Sequence, residues 1–296
     1  MKKKIAIVGA TGKTGIPLVK LLSKENVSVK AMLHSPNNNP FSNFTNVEVN
    51  YADFNDDASL SNFFKGCESI YLVTPPSENM AKIAINTAKI AIANGVTHIV
   101  KLSALSTSAS STINLLQQHA EAEEAIKTMN VQSAFIHPHF FLENLLQDIE
   151  TVKKIDAIYS PLGDTAIAPV SVLDIAACAS TILTNPILYG KTYQLTGPKA
   201  FTYSEYAKEL SQLLQYNINY YAVPFDAVLK NMINSKMPKW LANNLVELMR
   251  SWTLTRTKIV TSDVEKITGY PAIGLPEFLT LHLEQFKREH HSYNDY

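Results

Sequence analysis

Lys4-Ile5-Ala6-Ile7-Val8-Gly9-Ala10-Thr11-Gly12-Lys13-Thr14-Gly15 is the stretch that decides the fold of this chain. Its apolar residues 5–8 are typical of a buried parallel strand, and a helical pattern follows from Pro17. A strand, a glycine turn and a helix in this order bring backbone N–H groups and the positive end of a helix to one point. The stretch therefore predicts a turn that binds the diphosphate of a dinucleotide.

The three glycines follow the spacing G-x-x-G-x-x-G, which differs from the commoner G-x-G-x-x-G. A glycine turn without a ligand is one alternative. A phosphate loop of the ATPase kind is excluded, because Ile7 stands where the first glycine of that motif belongs. The position on the first strand of an alternating chain favours dinucleotide binding. The residues predicted to contact the dinucleotide here are Gly9, Thr11, Gly12, Lys13, Thr14 and Gly15.

Strand and helix patterns alternate through the first half of the chain. Strand patterns occupy 27–33, 47–50, 69–73, 98–103 and 131–137, with helix patterns at 57–65, 80–93 and 115–129. This alternation predicts an α/β fold with a Rossmann-type, doubly wound parallel sheet. We expect a cofactor-binding domain over 1–150, with a returning strand near 191–196, and a smaller, mainly helical substrate-binding lobe over 151–296. Within that lobe, strand patterns lie at 158–159 and 166–170, and helix patterns at 175–183, 202–214, 225–256 and 276–288.

Composition narrows the class of protein. The 296 residues carry 26 basic and 26 acidic side chains, a balance that gives no electrostatic footprint for nucleic acid or an anionic membrane. No apolar run approaches the roughly 20 residues that span a bilayer, and too few apolar residues follow Lys2-Lys3-Lys4 for a signal peptide. Two distant cysteines, Cys67 and Cys178, are expected to be buried thiols in a reducing cytoplasm.

The end of the second strand bears on which dinucleotide is bound. Enzymes that bind NAD usually carry Asp or Glu there to hold the ribose 2′-OH. This chain has His34, followed by Ser35, Pro36 and asparagines, and Lys13 lies in the nearby turn. The absence of a carboxylate favours NADP over NAD. A solvent-exposed histidine with no role is the alternative.

Several further motifs together resemble the NmrA-like branch of the atypical short-chain dehydrogenases. They span nearly the whole chain, and their order is more specific than any single motif. They are Tyr51-Ala-Asp53-Phe, Leu72-Val-Thr-Pro-Pro76, His98-Ile-Val-Lys-Leu-Ser-Ala104, His119-Ala-Glu-Ala-Glu-Glu124, His137-Pro-His-Phe-Phe-Leu-Glu-Asn144, Val172-Leu-Asp174-Ile-Ala, Thr192-Tyr-Gln-Leu-Thr-Gly197 and Thr261-Ser-Asp-Val-Glu-Lys-Ile-Thr-Gly269.

The resemblance implies NAD(P) binding and one of two roles. The first is the reduction of quinones, azo compounds or triphenylmethane dyes, with a small aromatic acceptor as partner. The second is a regulator that senses NAD(P) and changes its affinity for a protein partner. The partner is either another protein or a second copy in a homodimer. Besides His34, which the end of the second strand already suggested for the adenosine ribose, the resemblance implies further cofactor contacts: Asp53 and Phe54 by the adenine, Thr74, Pro75, Ser103 and Ala104 along the riboses, and Pro138, His139 and Phe140 near the nicotinamide.

The chain departs from the dehydrogenase pattern in the helix that follows the fifth strand. Alcohol-oxidising members carry a Tyr four residues before a Lys, but Leu115 and His119 occupy those positions here. This disfavours carbonyl–alcohol chemistry and a third alternative, a sugar-nucleotide epimerase. Hydride transfer to an electrophilic acceptor demands less of a protein acid. His119 is the candidate catalytic residue and a candidate ribose contact, with a structural polar residue as the alternative.

Five other positions have competing interpretations. Phe141 and Asn144 are candidates for the substrate pocket, although core packing explains the phenylalanine equally well. His137 and His139 flank a proline, yet no third ligand is suitably spaced, so no metal site is predicted. The family usually has Arg where His137 stands, which questions any anion-binding role there. Asp174 is interpreted as a helix cap rather than a catalytic acid.

Overall fold

A computed structural model describes residues 2–35, 39–255 and 258–288. The strands within these residues are β1 Lys4–Ile7, β2 Ser28–Leu33, β3 Val47–Tyr51, β4 Ser69–Leu72, β5 His98–Leu102, β6 Gln132–Pro138, β7 Ala157–Ser160, β8 Thr192–Leu195 and β9 Asn219–Ala222. The α-helices are α1 Gly15–Leu22, α2 Asp57–Phe64, α3 Met80–Ala93, α4 Asn114–Lys127, α5 Ile149–Ile155, α6 Val172–Thr184, α7 Tyr203–Leu214, α8 Phe225–Asn234, α9 Lys239–Thr255, α10 Asp263–Thr268 and α11 Leu275–Phe286. Two 3-10 helices cover Leu142–Asp148 and Pro186–Leu188.

Seven parallel strands form the main sheet, in the order β3-β2-β1-β4-β5-β6-β8. The order reverses direction at β1, where Ile7 is in register with Ala31 of β2 on one side and Tyr71 of β4 on the other. Ligands bind outside the carboxyl ends of the strands at such a reversal. The predicted doubly wound sheet is confirmed, and it places the glycine turn at this reversal.

The sequence explains why these segments are strands. Ile5, Ala6 and Ile7 are fully buried, as expected for a central strand covered on both faces. Helix α3 has the predicted bounds, with small residues such as Ala84 and Ala88 packed in the core. The returning strand is also confirmed, because Tyr193 of β8 is in register with Ile136 of β6.

The chain divides into two compact units that are discontinuous in sequence. The first unit comprises Met1–His139, Val172–Thr196 and Thr261–Pro271, and the second comprises Phe140–Ser171, Gly197–Val260 and Ala272–Tyr296. A single boundary at residue 150 therefore differs from the observed division. The reason is that α6 packs on α1, and α10 packs on α6 and β8, so both segments belong with the sheet. Among the described residues, no helix has the length and apolarity to cross a bilayer.

The second unit is mainly helical, with one small parallel pair formed by β7 and β9. Its core includes the fully buried rings of Tyr206, Phe278 and Phe286. Thr202 and Glu205 form a capping box at the start of α7, the helix predicted over 202–214. The strand predicted over 166–170 is wrong: this segment makes only isolated bridges, through Ile167 and Val170.

Candidate functional site

The glycine turn connects β1 to α1 with little room for side chains. Gly9 has φ +76°, and its carbonyl O accepts a hydrogen bond from the Gly12 N–H at 3.0 Å. A Cβ on Gly15 would overlap the Gly9 carbonyl and lie 2.7 Å from the Ala10 carbonyl O. Thr11 and Gly12 are exposed at the tip. A ligand can therefore approach the backbone of this turn closely, as a diphosphate requires.

A buried tyrosine fixes the side chain at the start of α1. Thr14 is the N-cap residue, yet its side chain makes no capping hydrogen bond. Its Oγ1 instead accepts a hydrogen bond at 3.1 Å from the hydroxyl of Tyr71, which is fully buried on β4. Because the cap side chain is turned away, it leaves the Gly15 N–H at the start of the helix open to an anion, whereas the Ile16 N–H already donates to the Gly12 carbonyl O at 3.1 Å. The exposed Lys13 amine adds positive charge beside them.

The structure places the Asp53 carboxylate next to His34. His34 follows β2 and is largely exposed, and its Nδ1 lies 4.0 Å from Oδ2 of Asp53, which follows β3. Asp53 also accepts a hydrogen bond from the Asn55 N–H at 2.8 Å. The adjoining Phe54 packs partly against the hydrophobic core. The predicted adenosine residues therefore lie together, with both a histidine and a carboxylate available to a ribose.

The remaining predicted residues of the first unit follow the carboxyl ends of the next strands. Thr74 and Pro75 come after β4, and Ser103 and Ala104 after β5. The Ser103 N–H donates to the Ile136 carbonyl at 2.7 Å, which ties this loop to β6. Pro138 ends β6, and burial lowers the pKa of His139 to about 4, so its ring is neutral. The structure thus brings these residues to the side of the sheet where the parallel strands end.

Three predicted residues belong to the second unit. The Phe140 ring meets the Trp252 ring edge-on with centroids 5.7 Å apart. Phe141 forms an isolated bridge with Val170, and Asn144 lies in the 3-10 helix that follows. All three are partly buried within this unit. Their assignment to the nicotinamide and the substrate stays a proposal.

A buried cluster of polar side chains lies near the carboxyl ends of β5 and β6. Glu123 of α4 accepts hydrogen bonds at Oε1 from the Ser103 hydroxyl and from His137 Nε2, the latter at 2.8 Å. The three residues are 4–8% exposed. Burial acts to raise the pKa of Glu123, but the hydrogen bonds and charge of His137 outweigh it, and the pKa is lowered. His137 therefore pairs with a carboxylate inside the protein.

Removing the Glu123 carboxylate is expected to destabilise the first unit. In Glu123→Ala, His137 and the Ser103 hydroxyl lose their shared partner in a buried site, and we expect the free energy of unfolding to fall by about 3–5 kcal/mol. The matched control is Glu124→Ala, which removes only an exposed pair with Lys127 and should change stability by less than about 1 kcal/mol. Urea unfolding followed by far-UV circular dichroism measures both. Equal losses would contradict the paired role of Glu123.

Lys101 of β5 and His119 of α4 form a second polar contact near the same strand ends. Lys101 is 2% exposed, and its Nζ lies 3.1 Å from both the Leu102 carbonyl O and His119 Nδ1. Burial lowers the pKa of Lys101 to about 8, although the charge of Glu123 acts to raise it. Burial, then the charges of Lys101 and His137, hold the pKa of His119 well below its ordinary value. A neutral His119 that accepts at Nδ1 must carry its proton on Nε2.

Sequence reasoning missed Lys101 and Glu123 as site residues. A lysine inside an otherwise apolar strand was one available signal, because a central strand has no solvent for its charge. The spacing of His119 and Glu123 along one helix was the other. In the second unit, burial raises the pKa of Asp148 to about 7, a shift that the sequence did not predict. No group of three potential metal ligands occurs within the residues that the structure describes; His290 and His291 lie outside them.

Comparisons with known proteins agree with the fold. A family model described as the NmrA-like family matches residues 1–273. A protein named NAD(P)H azoreductase from Xenophilus azovorans is 28% identical over 284 residues, which cover 95% of this chain and 99% of that protein. Quinone oxidoreductase 2 of Escherichia coli is 25% identical over 283 residues, covering 92% and 96%. The crystal structure of Citrobacter triphenylmethane reductase complexed with NADP(H) matches with a TM-score of 0.82 at 23% identity, covering 94% and 99%.

Proposed function

The chain belongs to the NmrA-like family, and from that premise we propose that it is an NAD(P)H-dependent reductase. Its acceptor is a conjugated small molecule such as a quinone, an azo compound or a cationic dye. The observation that carries the proposal is the glycine turn, whose backbone a ligand can approach closely at the point where the sheet reverses. The names of the two relatives aligned over nearly the whole chain support the same activity.

The residues of the first unit have assigned roles in this proposal. The glycine turn binds the diphosphate, with Lys13 and His34 toward the adenosine ribose and Thr74 and Ser103 along the chain of the cofactor. The bound cofactor supplies a hydride from its nicotinamide ring. The Ser103 hydroxyl donates its hydrogen bond to Glu123. It can therefore only accept a hydrogen bond from a ligand, through its lone pairs. His119 is assigned as the residue that meets the nicotinamide ribose or the acceptor.

Measurements of turnover distinguish the reductase from a sensor and from an epimerase. NADPH and NADH oxidation should be followed with a panel of quinones, azo dyes and cationic triphenylmethane dyes. Steady oxidation that depends on the acceptor supports the reductase. Tight cofactor binding without oxidation by any acceptor would favour a sensor that acts through a protein partner. Interconversion of a sugar nucleotide without net oxidation would favour an epimerase, which Leu115 and His119 at the positions of the Tyr–Lys pair disfavour.

His34 is expected to influence the choice between NADPH and NADH. In His34→Asp a second carboxylate joins Asp53, where it repels a 2′-phosphate and can accept a hydrogen bond from a ribose 2′-OH. We expect the ratio of kcat/KM for NADPH to that for NADH to fall about tenfold, equivalent to about 1.4 kcal/mol. The matched control is His282→Asp, the same change at a partly buried position of α11 in the second unit. An unchanged ratio in His34→Asp would mean that His34 does not contact the ribose.

We also propose that the protein is located in the cytoplasm. Cys67 and Cys178 are both free and buried, and burial raises the pKa of the Cys67 thiol to about 11. Buried free thiols of this kind suit a reducing cytoplasm.

A further inference from the structure

We propose that Lys101 and His119 form a proton relay that supplies the proton needed when a quinone is reduced. This inference rests on the proposed function. Its geometric basis is the 3.1 Å contact between Lys101 Nζ and His119 Nδ1, which fixes the orientation of the ring. His119 Nε2 makes no hydrogen bond to any residue that the structure describes, and the side chain is only half-buried. One ring nitrogen is thus bound to an internal donor while the other carries a proton available to a ligand.

The stoichiometry of quinone reduction requires such a proton. A quinone becomes a hydroquinone by gaining one hydride, from the reduced nicotinamide, and one proton. A neutral imidazole is too weak an acid to give up its only N–H proton and become an anion. This obstacle disappears when His119 Nδ1 takes a proton from the Lys101 ammonium as Nε2–H is transferred to the acceptor oxygen. His119 then remains neutral in its other tautomer, and Lys101 becomes a neutral amine.

The relay is reset by the reverse proton movement. A solvent proton binds His119 Nε2, and the Nδ1 proton returns to the Lys101 amine. One proton is therefore taken from solvent for each hydride transferred, and the atoms and charges balance. Lys101 acts through His119, so it is a positioning residue that also holds the transferable proton.

Burial and charged neighbours together determine the pKa of Lys101, and so how easily it gives up this proton. Burial lowers its pKa to about 8, whereas Glu123 of α4 acts in the opposite direction. His137 of β6 contacts one Glu123 oxygen, and Lys127 lies 4.0 Å from the other, so Lys101 does not have this carboxylate to itself. A proton donor with a pKa near the working pH is the efficient choice for general acid catalysis.

The chemistry of the acceptor provides an internal comparison. A cationic triphenylmethane dye is neutralised by hydride alone and needs no proton. In Lys101→Met, the ratio of quinone kcat to dye kcat should therefore fall roughly 100-fold, the magnitude of a general acid. Wild-type quinone turnover should decrease as the pH rises through about 8, because Lys101 must be protonated to act, and the variant should lose this decrease. Lys208→Met, at an exposed position of α7, is the matched control and should leave both reactions unchanged.

A second variant distinguishes proton supply from mere orientation of the ring. Lys101→Arg keeps a cationic donor for His119 Nδ1, but a guanidinium does not release its proton in proteins. The relay therefore predicts that Arg does not restore the quinone-to-dye ratio. Restoration by Arg, or equal loss of quinone and dye reduction in Lys101→Met, would overturn the relay while leaving the reductase intact. Absence of NADPH oxidation with every acceptor would overturn the reductase and the relay together.

Nitrogen-15 NMR of the cofactor-free protein tests the relay without turnover. With labelled histidine and lysine, His119 should be neutral with its proton on Nε2 at neutral pH, and the Lys101 signal should titrate near pH 8. Signals are assigned by their loss in His119→Gln and Lys101→Met. In Lys101→Met the His119 tautomers should become mixed. A proton fixed on Nδ1, or a Lys101 that titrates at its ordinary pKa of about 10.4, would contradict the relay.

Discussion

Gly12→Val is expected to lower the affinity for NADPH by at least about 100-fold, or about 2.7 kcal/mol, in a protein that still folds. Gly12 is exposed at the tip of the turn and has an ordinary φ, so its backbone tolerates a side chain. A Cβ there would lie 3.2 Å from the Gly9 carbonyl O, and the valine methyl groups would extend into the space that the diphosphate needs. The main loss should therefore appear in binding, with only a small loss of stability.

Isothermal titration with NADPH measures this loss, and far-UV circular dichroism checks the fold. Gly274→Val is the matched control, because a Cβ there meets only proline side chains, at 3.5 and 3.7 Å in the second unit. It should bind NADPH as the wild type does. Unaltered affinity in Gly12→Val would refute the assignment of the glycine turn to the diphosphate.

Gly15→Ala is expected to lower the free energy of unfolding by about 1–3 kcal/mol, the cost of overpacking. The direction of this change in stability is informative, because Gly→Ala inside an ordinary helix stabilises a protein by about 1 kcal/mol. Here the added Cβ would overlap the Gly9 carbonyl and approach the Ala10 backbone, which cannot yield as a flexible side chain would. Helix α1 would have to move away from β1.

Urea unfolding of Gly15→Ala beside Gly12→Ala gives a graded comparison. The Cβ of Gly12→Ala lies 3.2 Å from the same carbonyl, so its loss of stability should be smaller. Stabilisation by Gly15→Ala would mean that close packing of helix on strand does not require this glycine.

Local patterns in the sequence predicted much of the sheet and its order along the chain. Helix α3 had a continuous apolar pattern and a clear stop at Asn94-Gly95, so its bounds agreed with the prediction. β9 and α10 were missed, since both are short and owe their positions to neighbouring elements. The division into units was also hidden, because it depends on α6 and α10 packing back onto the first unit.

The candidate site was predictable only where one segment forms it. The glycine turn could be recognised from a dozen consecutive residues. The contact between Lys101 and His119, and the cluster of Glu123 with Ser103 and His137, each join residues of separate elements. Such contacts depend on register and helix rotation, which single-sequence patterns do not specify. His34 and Asp53 were both assigned to the adenosine end of the cofactor, but the 4.0 Å distance between their side chains could not be derived from the sequence.

A crystal structure of the protein with NADPH would locate the diphosphate. We expect the diphosphate to lie against the backbone of residues 9–15, within hydrogen-bonding distance of N–H groups at the start of α1. A diphosphate bound elsewhere, with the turn closed by its own side chains, would contradict this expectation.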